Sequence, residues 1–136
     1  MFPDVNYLAI GVAAVAHFVI GAVWYGALFS KMWLGFVDPD GTKMEKLKEG
    51  QAMAFIGSFV GSLFMSYVVA RLLVLINFAG LMESLVLGFL VWFGFTVPMG
   101  LNDVGYEKKP FGLFMLNTLY YLVGVLVATL ILFYWK

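Results

Sequence analysis

Cysteine is missing altogether from this chain of 136 residues, which removes disulfides, thiolate nucleophiles and thiolate metal ligands from consideration. Charge is scarce as well. Only 12% of residues are Asp, Glu, Lys or Arg, about half the fraction usual in a soluble domain. The formal net charge is zero and the lysines are spaced rather than massed, so the electrostatic footprint of nucleic-acid binding is lacking. Histidine occurs once, and no carboxylate shares its depth, which leaves no metal site or proton relay to build. The chain has no HExxH, no GxSxG and no phosphate-cradling glycine loop. No catalytic residue, metal ligand or cofactor is therefore expected.

What the chain has in abundance is apolar length. Hydrophobic residues make up 63% and the mean hydropathy is +0.97. Charge crowds into 31–50 and 103–109 and leaves four nearly uncharged runs, at about 5–30, 51–76, 81–100 and 110–135. A helix rises about 1.5 Å per residue, so roughly 20 residues cross a hydrocarbon core of about 30 Å. The expected fold is all-α: an integral membrane bundle of four antiparallel transmembrane helices forming one domain over 1–136, with membrane lipid as its surroundings. The runs are continuous rather than alternating apolar with polar, which excludes a transmembrane β-barrel. The first run is read as a retained helix rather than a signal peptide, because Met1–Asn6 carries Asp4 and no Lys or Arg.

The connections follow from turn chemistry. Trp24, Tyr25, Phe29 and Trp33 close the first run with the aromatic belt of a headgroup region, and Trp24 and Trp33 read as interface anchors. Asp38-Pro39-Asp40-Gly41 is a turn, and Thr42 with Glu45 matches a capping box for a short surface helix. Asn77-Phe78-Ala79-Gly80 turns the second run into the third. Pro98 is expected to end or bend the third, Leu101–Lys109 to form a second polar loop, and Pro110 to open the fourth. Trp135 and Lys136 supply an interfacial stop. Loops 31–50 and 103–109 share a face that holds Lys31, Lys43, Lys46, Lys48, Lys108 and Lys109, against Lys136 and Arg71 opposite. The excess of Lys puts both polar loops on the cytoplasmic side of a prokaryotic cytoplasmic membrane and both termini outside.

Polar and small residues within the runs are the candidate functional positions. His17 lies near the centre of the first run, where it must find a partner inside the bundle; by depth these are Ser62, Ser66 and Tyr67, Trp92 or Tyr121. A structural hydrogen bond is favoured over a ligand contact or proton coupling. Tyr25, Thr96 and Asn117 fall at one depth nearer the polar loops and form a second layer. Tyr120 and Tyr121 cannot share a face, so at most one suits a central site. Gly57 with Gly61, flanked by Ser58, Ser62 and Ser66, makes a broad small-residue face, and Gly21, Gly124 and Ala128 offer further close-packing points, within the chain or in a homo-oligomer. Arg71 and Glu83 flank the 2–3 hairpin and suit an ion pair, Glu83 also matching the positive end of its helix. The Asp103–Lys109 charges read as a solvated turn.

Trp24-Tyr25, then Leu28-Phe29, Lys31 and Trp33, together with the Gly/Ser-rich second run, the Gly94-Phe95 to Asn102 region and Phe111 to Asn117, resemble the small membrane family catalogued as domain of unknown function 1761. The likeness covers almost the whole chain. It implies a four-helix membrane protein and no established chemistry; some relatives have a histidine near the position of Tyr121, which weakens any metal site here. The leading expectation is a small oligomeric scaffold or binding protein. A minimal transporter or channel with a path near His17 and Asn117, and a lipid- or quinone-modifying enzyme, are the alternatives.

Overall fold

The computed structural model describes residues 4–135; the stop expected at Lys136 and the first three residues of the leader argument lie outside them. Four helical spans are long and apolar enough to cross a membrane: Tyr7–Leu28, Gln51–Leu75, Leu81–Tyr106 and Phe111–Tyr134. No strand occurs among the described residues. The chain is a multi-pass membrane protein, and large side chains such as Met53, Phe64, Met82 and Phe95 are exposed, as lipid contact requires.

Burial ranks the spans. In the fourth, 44% of the most apolar stretch is buried, against 11% in the third. The fourth span packs on all three others, the first packs on the second and fourth, and the third leans on the fourth. No extended contact joins the second and third beyond their hairpin. At the hairpin end, Val5, Ala9, Ile10, Ala13, Val69, Ala70, Leu73, Ala128 and Leu132 form a closed core, so Ala128 packs where a small residue was expected. Toward the polar loops the second and third spans part.

Two wide turns interrupt the spans. Trp24–Leu28 and Trp92–Thr96 are π-helical, the first closed by the Phe29 N–H donating to the Trp24 carbonyl at 2.8 Å. Such insertions leave a backbone carbonyl short of its usual partner and re-aim the side chains that follow. The second explains why Pro98 does not end its helix. The proline ring would strike the carbonyl of residue 94, and the wide turn at Trp92–Thr96 moves that carbonyl away, so helix Val97–Tyr106 continues through it. The third span, expected to stop at Gly100 as the shortest, is the longest at 26 residues, and Leu101–Tyr106 is helix rather than loop.

The 31–50 segment is likewise more ordered than a loop. Helix Ser30–Val37 continues the first span after a break at Phe29, and helix Met44–Glu49 leads into the second span. Gly41 takes the left-handed conformation that the turn demands, at φ 70°. The cap is not Thr42. Buried Asp38 accepts from the backbone N–H groups of Thr42 at 2.9 Å and Lys43 at 3.1 Å, because its carboxylate reaches both donors from inside the turn.

The small residues divide sharply. A methyl group built on Gly124 would collide with the His17 imidazole, and one on Gly21 would meet the Tyr120 hydroxyl at 2.8 Å. Space outward from Gly57 and Gly61 is open, so that pair makes no close packing within the chain. Gly124→Ala and Gly21→Ala are accordingly expected to lower stability in detergent by about 1–3 kcal/mol through overpacking. Gly57→Leu with Gly61→Leu should leave monomer stability within about 0.5 kcal/mol, as at an exposed site. Thermal unfolding of all four, with the oligomeric mass in detergent, checks this; equal damage from both pairs would contradict the packing described.

Candidate functional site

The polar core is built around His17. It is 4% exposed, on the first span, and its Nδ1 lies 2.8 Å from Ser62 Oγ on the second. Ser62 donates its own proton to the Ser58 carbonyl at 2.8 Å, one helical turn back. It therefore has a lone pair for the imidazole, and the proton belongs on Nδ1. Tyr120 on the fourth span is then free to donate to the His17 carbonyl at 3.2 Å, its oxygen lying 3.1 Å from Nδ1. His17 Nε2 faces Gly124, buried and without a partner among the described residues. The opposite tautomer would bury an N–H donor there, the costlier of the two orphans. Three spans are thus tied at one point.

Nearer the polar loops, Tyr25 in the first wide turn donates to Asn117 Oδ1 at 2.6 Å, joining first and fourth spans at the depth expected from helix rise. Thr96, the last residue of the second wide turn, lies on the same cavity wall. That cavity is a cleft of about 1130 Å³ between the parted second and third spans, with the first and fourth as its back. Phe18, Ala22, Phe55, Met99, Leu113 and Phe114 give it apolar walls; Ser58, Thr96, Asn117 and Tyr121 add neutral polar side chains farther along the spans; Lys46, Lys48, Asp103 and Lys109 stand at its mouth. Lys109 bridges Glu107 at 3.0 Å and Asp103 at 3.8 Å. The Glu107 hydrogen bond, with the Asp103 charge nearby, holds its ammonium pKa above the ordinary value.

The expected site residues distribute as follows. Ser62 meets His17. Ser66 is fully buried one turn away, with no partner for its hydroxyl among the described residues. Trp92 does not reach His17: its indole N–H donates to the Thr118 carbonyl at 2.7 Å and fastens third span to fourth. Tyr121 keeps a ring contact with His17 at 6.1 Å but turns its edge into the cleft, and its neighbour Tyr120 takes the central place. Arg71 donates to the Tyr67 hydroxyl at 2.9 Å and lies over that ring, while the Glu83 carboxylate folds back over Gly80 at its own helix start. Trp33 lines the cleft, and Trp24 is turned inward against Phe29, its indole N–H buried rather than at the headgroups.

Four contributors were not picked out by sequence reasoning, Tyr120 having been weighed there only against Tyr121. Tyr120 stands one turn before Gly124 on the same face, a spacing that marks it as the buried tyrosine. Gly88 against Thr129, and Gly100 against Phe114, are the contacts that seat the third span on the fourth. Asp38 is the fourth, and the Asx-turn pattern before Thr42 was its signal.

A family model described as "Protein of unknown function (DUF1761)" matches residues 8–133. The chain belongs to that family. The match takes in both wide turns, the whole cleft and the four spans of this DUF1761 protein except the end residues Tyr7 and Tyr134. No curated protein and no solved structure matches it.

Proposed function

We propose that the chain acts as one four-span unit that binds a membrane-dissolved amphiphile in the cleft between its second and third spans. The observation that carries this is the cleft's polarity gradient: charged at the mouth, apolar along the walls, and supplied with neutral polar groups at depth. A concave, mostly apolar site with a few polar groups fixing orientation is the ordinary form of a small-molecule pocket. Both wide turns border it, through Tyr25 and Gly26 from one and Thr96 from the other. π-turns of this kind occur often at functional sites.

Binding is favoured over conduction because the hairpin-end core of Ala13, Val69, Leu73 and Ala128 closes the bundle beyond His17. It is favoured over lipid or quinone chemistry because His17 lies behind Tyr120 rather than on the cleft wall, away from the Asp103 and Glu107 carboxylates. A homo-oligomeric scaffold is the second reading. The open outward face of Gly57 and Gly61 favours it, and the mass of the leucine variants decides it.

The direct experiment is ligand retention. Gly26 lines the cleft, and a Cβ built there meets nothing within 4 Å, so Gly26→Trp starts a bulky side chain in open cavity space. Native mass spectrometry should find a co-extracted amphiphile on the parent chain and at least about tenfold less on the variant, as loss of a filled apolar site implies. Equal occupancy would contradict the reading. Orientation is part of the proposal, with both polar loops cytoplasmic. Because the chain has no cysteine, Asn77→Cys and Asp40→Cys report it directly. A membrane-impermeant maleimide should label the first in intact cells and the second only after permeabilisation; the reverse pattern would invert the topology.

A further inference from the structure

Ser58, Thr96, Tyr121 and Asn117 line the cleft away from its charged mouth, and no hydrogen bond among the described residues uses the first three hydroxyls or the Asn117 amide N–H groups. That is unusual at this depth. A hydroxyl in a membrane helix ordinarily satisfies itself on the carbonyl four residues back, as Ser62, Ser84, Thr118 and Thr129 all do here. Thr96 does not, although it sits in a wide turn where backbone carbonyls are displaced. Asn117 Oδ1 already accepts from Tyr25, while both of its amide N–H donors are without a partner among the described residues.

The set is therefore rich in donors and carries no charge. By helix rise Asn117 lies roughly 9 Å below Phe111, where its helix begins, and Lys109 at the mouth is already engaged by Glu107 and Asp103 rather than by an anion held at that depth. An ionised head at that depth would lose its hydration without a counter-charge, whereas a carbonyl oxygen would gain the donors it needs. The walls around it are aromatic, with Tyr25, Phe55, Phe114 and Tyr121 facing the same space. We infer that the deep end of the cleft takes the neutral carbonyl head of an amphiphile, either a quinone ring or a fatty ester, whose apolar tail leaves between the second and third spans into the bilayer. This rests on the binding reading above and narrows it to a hydrogen-bond-accepting head held away from the charged mouth.

Isothermal titration of the full chain in lipid nanodiscs tests it with four probes: a decyl-substituted benzoquinone, a fatty acid methyl ester, the matching alkane and an anionic phosphatidylglycerol. Thr96→Val and Tyr121→Phe keep shape and remove one hydroxyl each, and Asn117→Leu removes both amide donors. The quinone or the ester should bind, the alkane should bind at least about tenfold more weakly, and each isosteric variant should weaken the carbonyl probe by about tenfold, the loss of roughly one hydrogen bond. Which of the two carbonyl probes binds more tightly separates the sources. Lys46→Gln with Lys48→Gln, at the mouth, should weaken the carbonyl probe less than any of the three deep variants, and Lys43→Gln, outside the cleft, should leave that affinity unchanged. If phosphatidylglycerol binds best and only the lysine variants weaken it, the carbonyl inference is overturned while the cleft remains a binding site. If no probe binds the parent chain and Gly26→Trp changes nothing, the binding reading falls as well.

Discussion

The imidazole of His17, pressed into the notch that Gly124 leaves on the fourth span, is the contact on which the rest of the bundle depends. Lipid tails satisfy apolar side chains as well as a protein core does, so hydrophobicity alone does not hold these helices together. Close approach and hydrogen bonding must do so. Gly124 supplies the approach, Ser62 accepts from the ring, and Tyr120 reaches back over Gly21 to the His17 carbonyl. One residue thereby ties the first span to the second and fourth. Trp92 and the Gly88–Thr129 and Gly100–Phe114 contacts then hang the third span on the fourth alone.

That unequal attachment produces the site. Because the third span leans on only one neighbour, it diverges from the second toward the polar loops, and the gap between them becomes the cleft. The wide turns fit this picture physically. One of them lets the helix run on through Pro98 and leaves Thr96 on the cavity wall. The other places Tyr25 on Asn117, whose side-chain oxygen accepts from it, and both residues line the cleft. Packing is completed at the hairpin end and left incomplete at the other, an arrangement suited to admitting a ligand from the bilayer.

Much of this was legible in the sequence, for identifiable reasons. Continuous apolar length gave the four spans, and helix rise put Tyr25, Thr96 and Asn117 at one depth and Ser62 among several groups level with His17. What rise does not give is rotation. Adjacent residues on a helix point about 100° apart, so Tyr120 and Tyr121 compete for the centre and only the position of Gly124 decides between them. The same ambiguity hid which small residues meet a neighbour: Gly57 and Gly61 have the stronger spacing pattern, yet they face outward. Pro98 misled about length because a local rule was overridden by a wide turn that no composition signal announces. Thr42 yielded its capping role to Asp38 because a buried carboxylate can accept two backbone donors where one hydroxyl reaches one.

Since the chain has a single histidine, one isotope label isolates the central contact. Solid-state ¹⁵N NMR of the protein in lipid bilayers, with the imidazole nitrogens labelled, reads which of them carries the proton. A protonated Nδ1 and a bare Nε2 are the expected result, following from Ser62 as acceptor and Gly124 as a wall with no donor. A proton on Nε2 alone, or an imidazolium signal, would mean that His17 is not held between Ser62 and Gly124 and that the bundle is assembled some other way.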